Sequence, residues 1–261
     1  MPPQIVVCPT KENLFEAAAQ SVAQSITSPS QPAQFYSIAL SGGSTPRGLF
    51  YLLTVEPYRT QIDWSSVRIF WGDERPVPAD HPESNFRMAK ENILDHLPIP
   101  SEQVFRIEGE RPVEEAAAGY EKVLQQAFSL GEAEVPRFDL VLLGMGPDAH
   151  TASLFTETGV LEEQERLVAA PWVEKFQTHR ITLTPRVFNA AQKIVFVVSG
   201  LDKAQAVQAV LEGPYLPLQY PAQIIHPVQG ELIWLLDQAA ASQLKTTTMT
   251  EWDRDKGMVI E

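Results

Sequence analysis

The sequence predicts an α/β fold, a three-layer αβα sandwich with a Rossmann-like, mostly parallel sheet, and three observations point to it. Short apolar runs rich in β-branched residues recur along the chain, as expected of parallel strands that helices cover on both faces. Segments with apolar residues three and four apart lie between these runs and are typical of amphipathic helices. With 261 residues, of which 44% are hydrophobic, the chain is long enough to bury one large core.

The predicted strands and helices alternate along the chain, and this order places helices on both faces of one sheet. The six predicted strands span residues 4–8, 35–40, 67–71, 138–143, 193–198 and 232–236. The five predicted helices span residues 11–26, 47–53, 85–97, 113–130 and 202–211. Segments 168–173 and 180–184 are less regular, and we interpret them as candidates for a small antiparallel edge region.

Domain organisation, charge and cysteine content narrow the class of protein. We expect a single α/β domain over residues 1–245 and a polar, weakly patterned C-terminal tail over residues 246–261. The formal net charge of −13 argues against nucleic acid or an anionic membrane as a partner, because either would need clustered lysines and arginines. Cys8 is the single cysteine, which excludes an internal disulfide, and no apolar targeting segment is visible, so we expect a cytoplasmic protein.

A glycine-rich loop follows the second predicted strand. Gly42 and Gly43 precede the hydroxyl pair Ser44 and Thr45 and then Pro46, a pattern typical of a strand, a tight loop and a new helix. Glycines let backbone amides approach a ligand, and a helix start adds unpaired N–H groups, so the loop is a candidate phosphate site. We expect Thr45 to cap the helix. The alternative is an ordinary glycine-rich turn, since the loop matches neither a Walker loop nor a dinucleotide fingerprint.

The loop after the third predicted strand carries Arg75 beside Asp73 and Glu74. A guanidinium presents paired donors and stays charged, so Arg75 is a candidate clamp for a phosphate group. The alternative is a surface ion pair between Arg75 and one of the two neighbouring carboxylates. Further along, Ser84 is placed to cap the helix predicted from Asn85, which is a structural role.

A third loop, residues 144–155, follows the most apolar predicted strand and contains His150. Because an unperturbed histidine titrates near neutrality, His150 is a candidate general base that takes a proton from water and returns it to a leaving group. Asp148 is a candidate for orienting the imidazole or stabilising its cationic form. The alternative is a helix start capped by Asp148 or Thr151, with His150 merely close to it.

Two further cations are candidates for an anion site. Arg180 and Thr182 share one face of a strand-like alternation, and Lys203 stands at a predicted helix start after another strand. Together with the glycine-rich loop, these charges would suffice for one phosphate. The alternative for each cation is a solvated position on the surface.

Three sequence blocks together resemble the 6-phosphogluconolactonase family. They are LSGGSTP at 40–46, WGDER at 71–75 with HPESN at 81–85, and GMGPDAHTASLF at 144–155. The blocks stand in that family's order, and the resemblance extends from about residue 5 to residue 236. It implies the Rossmann-like α/β fold of a wider group that includes glucosamine-6-phosphate deaminase and ribose-5-phosphate isomerase.

The resemblance also implies an activity, the hydrolysis of 6-phospho-D-glucono-1,5-lactone to 6-phospho-D-gluconate in the oxidative pentose phosphate pathway. A histidine would act on water as a general base, with no metal and no organic cofactor. The implied partner is therefore a small sugar-phosphate lactone, and we expect a monomer. Two alternatives remain, a sugar-phosphate isomerase similar to glucosamine-6-phosphate deaminase and a non-catalytic sugar-phosphate sensor.

Residue roles follow from the resemblance position by position. It implies His150 as the base, with Asp148 beside it in the same motif. The implied substrate-binding residues are Gly42, Gly43, Ser44, Thr45, Arg75, Arg180 and Lys203. One position departs from the family, because Ala149 stands where glycine is usual, and a positive φ there would cost about 1 kcal/mol.

Overall fold

The computed structural model describes residues 2–28, 35–245 and 249–252 of the chain. In these ranges the strands are β1 (Gln4–Cys8), β2 (Tyr36–Leu40), β3 (Val67–Trp71), β4 (Asp73–Glu74), β5 (Leu140–Leu143), β6 (Val168–Ala169), β7 (Trp172–Val173), β8 (Thr178–His179), β9 (Ile181–Leu183), β10 (Lys193–Val198), β11 (Glu231–Asp237) and β12 (Met249–Glu251). The α-helices are α1 (Lys11–Thr27), α2 (Ser44–Leu53), α3 (Tyr58–Gln61), α4 (Asn85–Ala89), α5 (Val113–Ala127), α6 (Pro185–Ala190), α7 (Ala204–Glu212) and α8 (Gln238–Ala241). Short 3₁₀ turns lie at Trp64–Ser66, Ser101–Gln103, Val160–Glu162, Glu174–Phe176, Leu201–Lys203 and Pro221–Ile224.

Seven of the described strands form one parallel sheet in the order β12-β1-β11-β10-β5-β2-β3. All four residues of β5 are buried, as are all five of β2, because these strands lie inside the sheet and are covered on both faces. The rings of Phe196 on β10 and Trp234 on β11 stack with their centroids 3.9 Å apart. The predicted α/β fold with a mostly parallel sheet is confirmed, and the six predicted strands all belong to this sheet.

Antiparallel pairing occurs in two small sheets outside the main one. β9 pairs with β4 on one side and with β6 on the other, and β7 pairs with β8. This confirms an antiparallel region, but the segment predicted at 168–173 is divided into β6 and β7. Pro171 lies between them, and proline has no N–H to donate to a ladder, so the strand is interrupted there.

The last described segment joins the edge of the main sheet. β12 pairs in parallel with β1, and the indole of the buried Trp252 donates to Gln20 Oε1 at 3.3 Å. The expected C-terminal tail at 246–261 therefore includes an edge strand, which its polar pattern did not predict. Residues 246–248 and 253–261 of that tail lie outside the described residues.

The helix after the glycine-rich loop begins earlier than predicted. α2 starts at Ser44, its N-cap residue is Gly43, and no side chain caps it, so the predicted cap at Thr45 is wrong. Gly43 has φ +106°, a conformation that glycine adopts readily, and this lets the chain enter the helix two residues before Thr45 could cap it. Pro46 sits in the first turn, where the absent N–H has no partner to lose.

The helix predicted at 85–97 is shorter and irregular. α4 ends at Ala89 and continues as a π-helical turn over Lys90–Leu94. Its start is as predicted, because the Arg87 N–H donates to Ser84 Oγ at 3.1 Å and Ser84 is the N-cap. None of the helices in the described ranges combines the length and apolar character that crossing a bilayer requires.

Candidate active site

A cleft of about 270 Å³ opens at the carboxyl edge of the parallel sheet. The loops that follow β2, β3, β5 and β10 form its walls, because the carboxyl ends of parallel strands meet at one edge. The predicted site residues on these walls are Gly42, Gly43, Ser44, Thr45, Arg75, His150 and Lys203. Of the remaining two, Asp148 lies behind His150, and Arg180 lies beside the cleft rather than on its wall.

The glycine-rich loop brings the N-terminus of α2 to the cleft. Amide groups in the first turn of a helix have no intrahelical partner, and the helix dipole adds partial positive charge, so this end favours an anion. Gly42 is required by packing, since a Cβ there would lie 1.8 Å from Asn85 Oδ1. Gly43 instead faces open space and is required by its positive φ.

Two arginines stand close to one another at this cleft. The guanidinium of Arg75 donates to the backbone carbonyl of Glu83, and among the described residues it forms no ion pair with Asp73 or Glu74. The predicted surface pairing of Arg75 is therefore not observed. Arg180 lies over the Phe176 ring at 4.9 Å, and burial, together with the nearby positive charge of Arg75, lowers its pKa. An anion between these cations would relieve their repulsion.

Lys203 adds a positive charge to the cleft wall besides that of Arg75. It ends the 3₁₀ turn that leads into α7, and its ammonium lies 3.0 Å from Asp202 Oδ2. The lysine side chain is only 20% exposed, whereas its partner is 66% exposed, so the pair reaches from the cleft to the surface. The loop before it is held by Asp237, which accepts hydrogen bonds from the Ser199 hydroxyl and the Gly200 N–H.

His150 and Asp148 form a hydrogen-bonded pair, with 2.5 Å between Nδ1 and Oδ1. The hydrogen bond from His150 holds the pKa of Asp148 well below its usual range, so the carboxylate is ionised and accepts from Nδ1. This arrangement leaves Nε2 as the proton-accepting nitrogen of the neutral imidazole. The imidazole also stacks on Phe155, with ring centroids 4.2 Å apart.

The loop that carries this pair is a series of turns rather than a helix start. Thr151 Oγ donates to the Gly144 carbonyl instead of capping a helix, so the alternative of a capped helix is wrong. Ala149 has φ +61°, so it adopts the left-handed conformation at the position where the family usually has glycine. A Cβ on Gly146 would lie 2.2 Å from His150 Nδ1, so the imidazole fills the space beside this glycine.

The sequence did not single out several polar residues that the fold brings to the cleft. Asp73 is buried on its wall and accepts a hydrogen bond from Ser153 Oγ at 2.7 Å. Asn85 lines the cleft as well and donates to the Asp73 carbonyl at 2.9 Å. From the sequence alone, Asp73 is only a neighbour of Arg75, and Asn85 is only the start of a predicted helix. The contact between Asp73 and Ser153 joins residues 80 positions apart, so no local pattern could have indicated it.

Glu74 supports the cleft from behind. It is 2% exposed and accepts hydrogen bonds from the N–H groups of Arg75, Asn85 and Phe86. Burial raises the pKa of this carboxyl, while the three amides that donate to it oppose the shift. Glu74 therefore joins β4 to the start of α4 and fixes the backbone of Arg75 relative to Asn85.

The fold and the site define a Rossmann-like α/β protein with a glycine-rich helix start, clustered cations and a histidine–aspartate pair on one cleft. The family described as glucosamine-6-phosphate isomerases/6-phosphogluconolactonase matches residues 9–234. The chain belongs to this family.

Known proteins resemble the chain over nearly its whole length. It is 40% identical to a 6-phosphogluconolactonase from Synechocystis sp. over 246 residues, which cover 94% of this chain and 100% of the relative. The structure of 6-phosphogluconolactonase from Trypanosoma cruzi superposes with a TM-score of 0.84 at 29% identity, covering 94% of this chain and 99% of that one. A monomeric glucosamine-6-phosphate deaminase shares the fold alone, with a TM-score of 0.77 at 20% identity, covering 92% of this chain and 100% of that one. The chain is an enzyme of the lactonase class, a hydrolase.

Proposed function

We propose that the protein hydrolyses 6-phospho-D-glucono-1,5-lactone to 6-phospho-D-gluconate in the oxidative pentose phosphate pathway, with His150 as the general base. The similarity to lactonases supports the reaction. The observation that carries the residue roles is that His150, which is hydrogen-bonded to Asp148, lies on the same cleft as the N-terminus of α2. This arrangement is what a substrate with a phosphate at one end and a lactone carbonyl at the other requires.

The phosphate end of the substrate binds at the glycine-rich loop. Backbone amides at Gly43, Ser44 and Thr45 and the guanidinium of Arg75 supply donors, and Arg180 and Lys203 add positive charge nearby. Binding at this end orients the carbonyl carbon toward the imidazole, so affinity for the phosphate is converted into catalytic positioning.

The chemical step begins at His150 Nε2, which accepts a proton from a water molecule held beside the lactone carbonyl. The water oxygen attacks carbon 1, and negative charge develops on the carbonyl oxygen, where amides or cations of the cleft stabilise it. Collapse of the tetrahedral intermediate breaks the bond to the ring oxygen, which takes the proton back from His150. Asp148 keeps the imidazole in the required tautomer and stabilises its transient positive charge.

The test measures hydrolysis of freshly prepared lactone, with the product detected by NADP-dependent oxidation of 6-phosphogluconate and spontaneous hydrolysis subtracted. His150→Asn should lower kcat by ~10²–10⁴-fold with a small change in KM, because it removes the base and leaves the phosphate site intact. Arg75→Ala should instead raise KM.

Arg111→Ala is the matched control, since Arg111 is 57% exposed and pairs only at the surface with Glu108. Near-normal kinetics in the His150 and Arg75 variants would overturn these roles, and release of ammonia from glucosamine 6-phosphate would favour the deaminase.

We also infer one domain, a cytoplasmic location and a monomer. One domain over residues 1–245 is supported by the main sheet, where β1 near the start of the chain pairs with β11 near residue 237. A cytoplasmic location is supported by the single cysteine, Cys8, which is buried and reduced. Light scattering of the purified protein tests the oligomeric state.

A further inference from the structure

We propose that Lys175 is a positioning residue for His150, holding the Asp148 carboxylate in place and offsetting part of its negative charge. This inference rests on the proposed role of His150 as the base. Lys175 lies in the short 3₁₀ turn Glu174–Phe176 that connects β7 to β8, 27 residues from Asp148 along the chain.

The Asp148 carboxylate bridges the His150 imidazole and the Lys175 ammonium. Its Oδ1 accepts from His150 Nδ1 at 2.5 Å, and its Oδ2 accepts from Lys175 Nζ at 2.8 Å. Oδ1 also lies 3.5 Å from the His150 backbone N–H, so one oxygen faces His150 and the other faces Lys175, and rotation of the carboxylate would break both side-chain contacts together. The lysine thus restrains the acceptor that sets the tautomer of the imidazole.

The segment that carries Lys175 packs against the site through aromatic rings. Phe176 meets Phe155 edge to face with centroids 5.6 Å apart, and Phe155 in turn stacks on His150. Arg180 covers Phe176 at 4.9 Å. The Lys175 side chain is 54% exposed. Its neighbour Phe176 packs against Phe155 of the loop at 144–155, so the turn that carries the ammonium is held in place by this contact.

The charges around His150 explain why a carboxylate alone would be unsuitable. Asp148 on the same loop favours the imidazolium, which has no free nitrogen to accept a proton from water. Across the cleft, Asp73 acts in the same direction, whereas Arg75 and Lys203 oppose it. Lys175, from the β7–β8 connection, is the cation in direct contact with Asp148. Its positive charge offsets part of the negative charge of the carboxylate, so Asp148 favours protonation of His150 Nε2 less strongly. The hydrogen bond between Nδ1 and Asp148 remains.

The experiment compares kcat/KM as a function of pH for Lys175→Met, Lys175→Arg and the unchanged protein, using the same lactone between pH 5.5 and 8. Loss of the ammonium should shift the acid limb of the Lys175→Met profile toward higher pH, by roughly half a pH unit or more. That shift corresponds to about a threefold loss of kcat/KM on the acid limb, carried by kcat rather than KM, and a smaller loss at pH 8. Lys175→Arg keeps the charge and should restore the profile to within about twofold.

Lys90→Met is the matched control, because Lys90 is 51% exposed and also pairs with one carboxylate, that of Asp95, away from the cleft. Its profile should coincide with that of the unchanged protein. If Lys175→Met also gives an unshifted profile while His150→Asn is inactive, the positioning role is wrong and the proposed function stands. An equal loss at every pH that Lys175→Arg does not restore also overturns it, because a structural role alone would produce that result. If His150→Asn retains full activity, the proposed function itself fails.

Discussion

Ser41 is a buried serine on the wall of the cleft, and its hydroxyl group is unsatisfied among the described residues. It is 6% exposed and lines the cleft, and its hydroxyl has no hydrogen-bond partner in the part of the chain that the structure describes. A buried polar group without a partner costs about 1–3 kcal/mol. A hydroxyl kept at such a cost, on the wall of a substrate cleft, is suited to bond a group of the ligand.

We therefore expect Ser41→Ala to separate stability from activity. The free energy of unfolding of the variant should equal that of the unchanged protein or exceed it by up to about 1 kcal/mol, because an unpartnered hydroxyl is removed. Its KM for the lactone should rise several-fold. Urea unfolding and steady-state kinetics measure the two effects. Ser21→Ala is the control, since Ser21 on α1 is also buried and unpartnered among the described residues but lies outside the cleft. An unchanged KM in Ser41→Ala would contradict a role in binding.

Ala149 shows that a rare backbone conformation can be tolerated when other terms offset it. A left-handed φ costs a non-glycine residue about 1–2 kcal/mol. Against this, the methyl group is fully buried, which contributes about 0.8 kcal/mol, and glycine would lose more backbone entropy on folding. The terms nearly cancel. The Ala149 carbonyl also accepts from the Ala222 N–H at 2.9 Å, so a second loop helps to fix the turn.

At the scale of elements, apolar patterns identified what the core requires. The strands at 4–8, 67–71 and 193–198 have the predicted bounds, because each is a run of mostly buried apolar residues in which Gln4, Arg68 and Lys193 are the polar exceptions. The apolar pattern does not predict β12, because an edge strand can be polar. It does not predict β4 either, because a strand of two residues is too short to show the alternation of apolar and polar residues. The irregular end of α4 had no sequence signal of its own.

The candidate site was predictable to the extent that topology alone assembles it. Residues directly after parallel strands meet at one edge, so Gly43, Arg75, His150 and Lys203 could be grouped from the chain order. Contacts made by side chains from other elements were beyond such reasoning. Lys175 comes from a short connection with no pattern, and its contact with Asp148 depends on tertiary packing.

The turn of residues 144–155 should depend on glycine at one position. A Cβ on Gly146 would lie 2.2 Å from His150 Nδ1 and 2.6 Å from Asp148 Oδ1, so Gly146→Ala must displace the pair. Since a displacement of about 1 Å can cost ~10²-fold, we expect kcat to fall by one to two orders of magnitude while binding of 6-phosphogluconate persists.

Gly119→Ala is the matched control for this substitution. Gly119 lies inside α5 with nothing within 4 Å of an added Cβ, so alanine should stabilise the helix by about 1 kcal/mol and leave kcat unchanged. Calorimetry and steady-state kinetics measure both variants. If Gly146→Ala keeps full kcat, the imidazole does not need the observed position.

For the whole molecule, net charge and local charge act in opposite directions. The chain carries a formal charge of −13, which repels an anionic substrate at long range, but salt screens this repulsion beyond about 8–10 Å. Inside that distance the substrate meets Arg75, Arg180, Lys203 and the amides of α2. Recognition is therefore a property of the cleft, and composition alone could not reveal it.

The single thiol reports on unfolding of the whole molecule. Cys8 is fully buried on β1, between β11 and β12, and burial raises its pKa to about 12, so the reactive thiolate is nearly absent in the folded state at pH 8. We expect a disulfide reagent at pH 8 to label Cys8 only after global unfolding. 6-Phosphogluconate at 100 times its Kd should then slow labelling about 100-fold, because ligand binding stabilises only the folded state. Labelling in 8 M urea is the control for intrinsic reactivity. If the ligand has no effect on the labelling rate, Cys8 is reached by local opening of the edge strand β12 together with β1, and folding of these two strands is not coupled to the cleft.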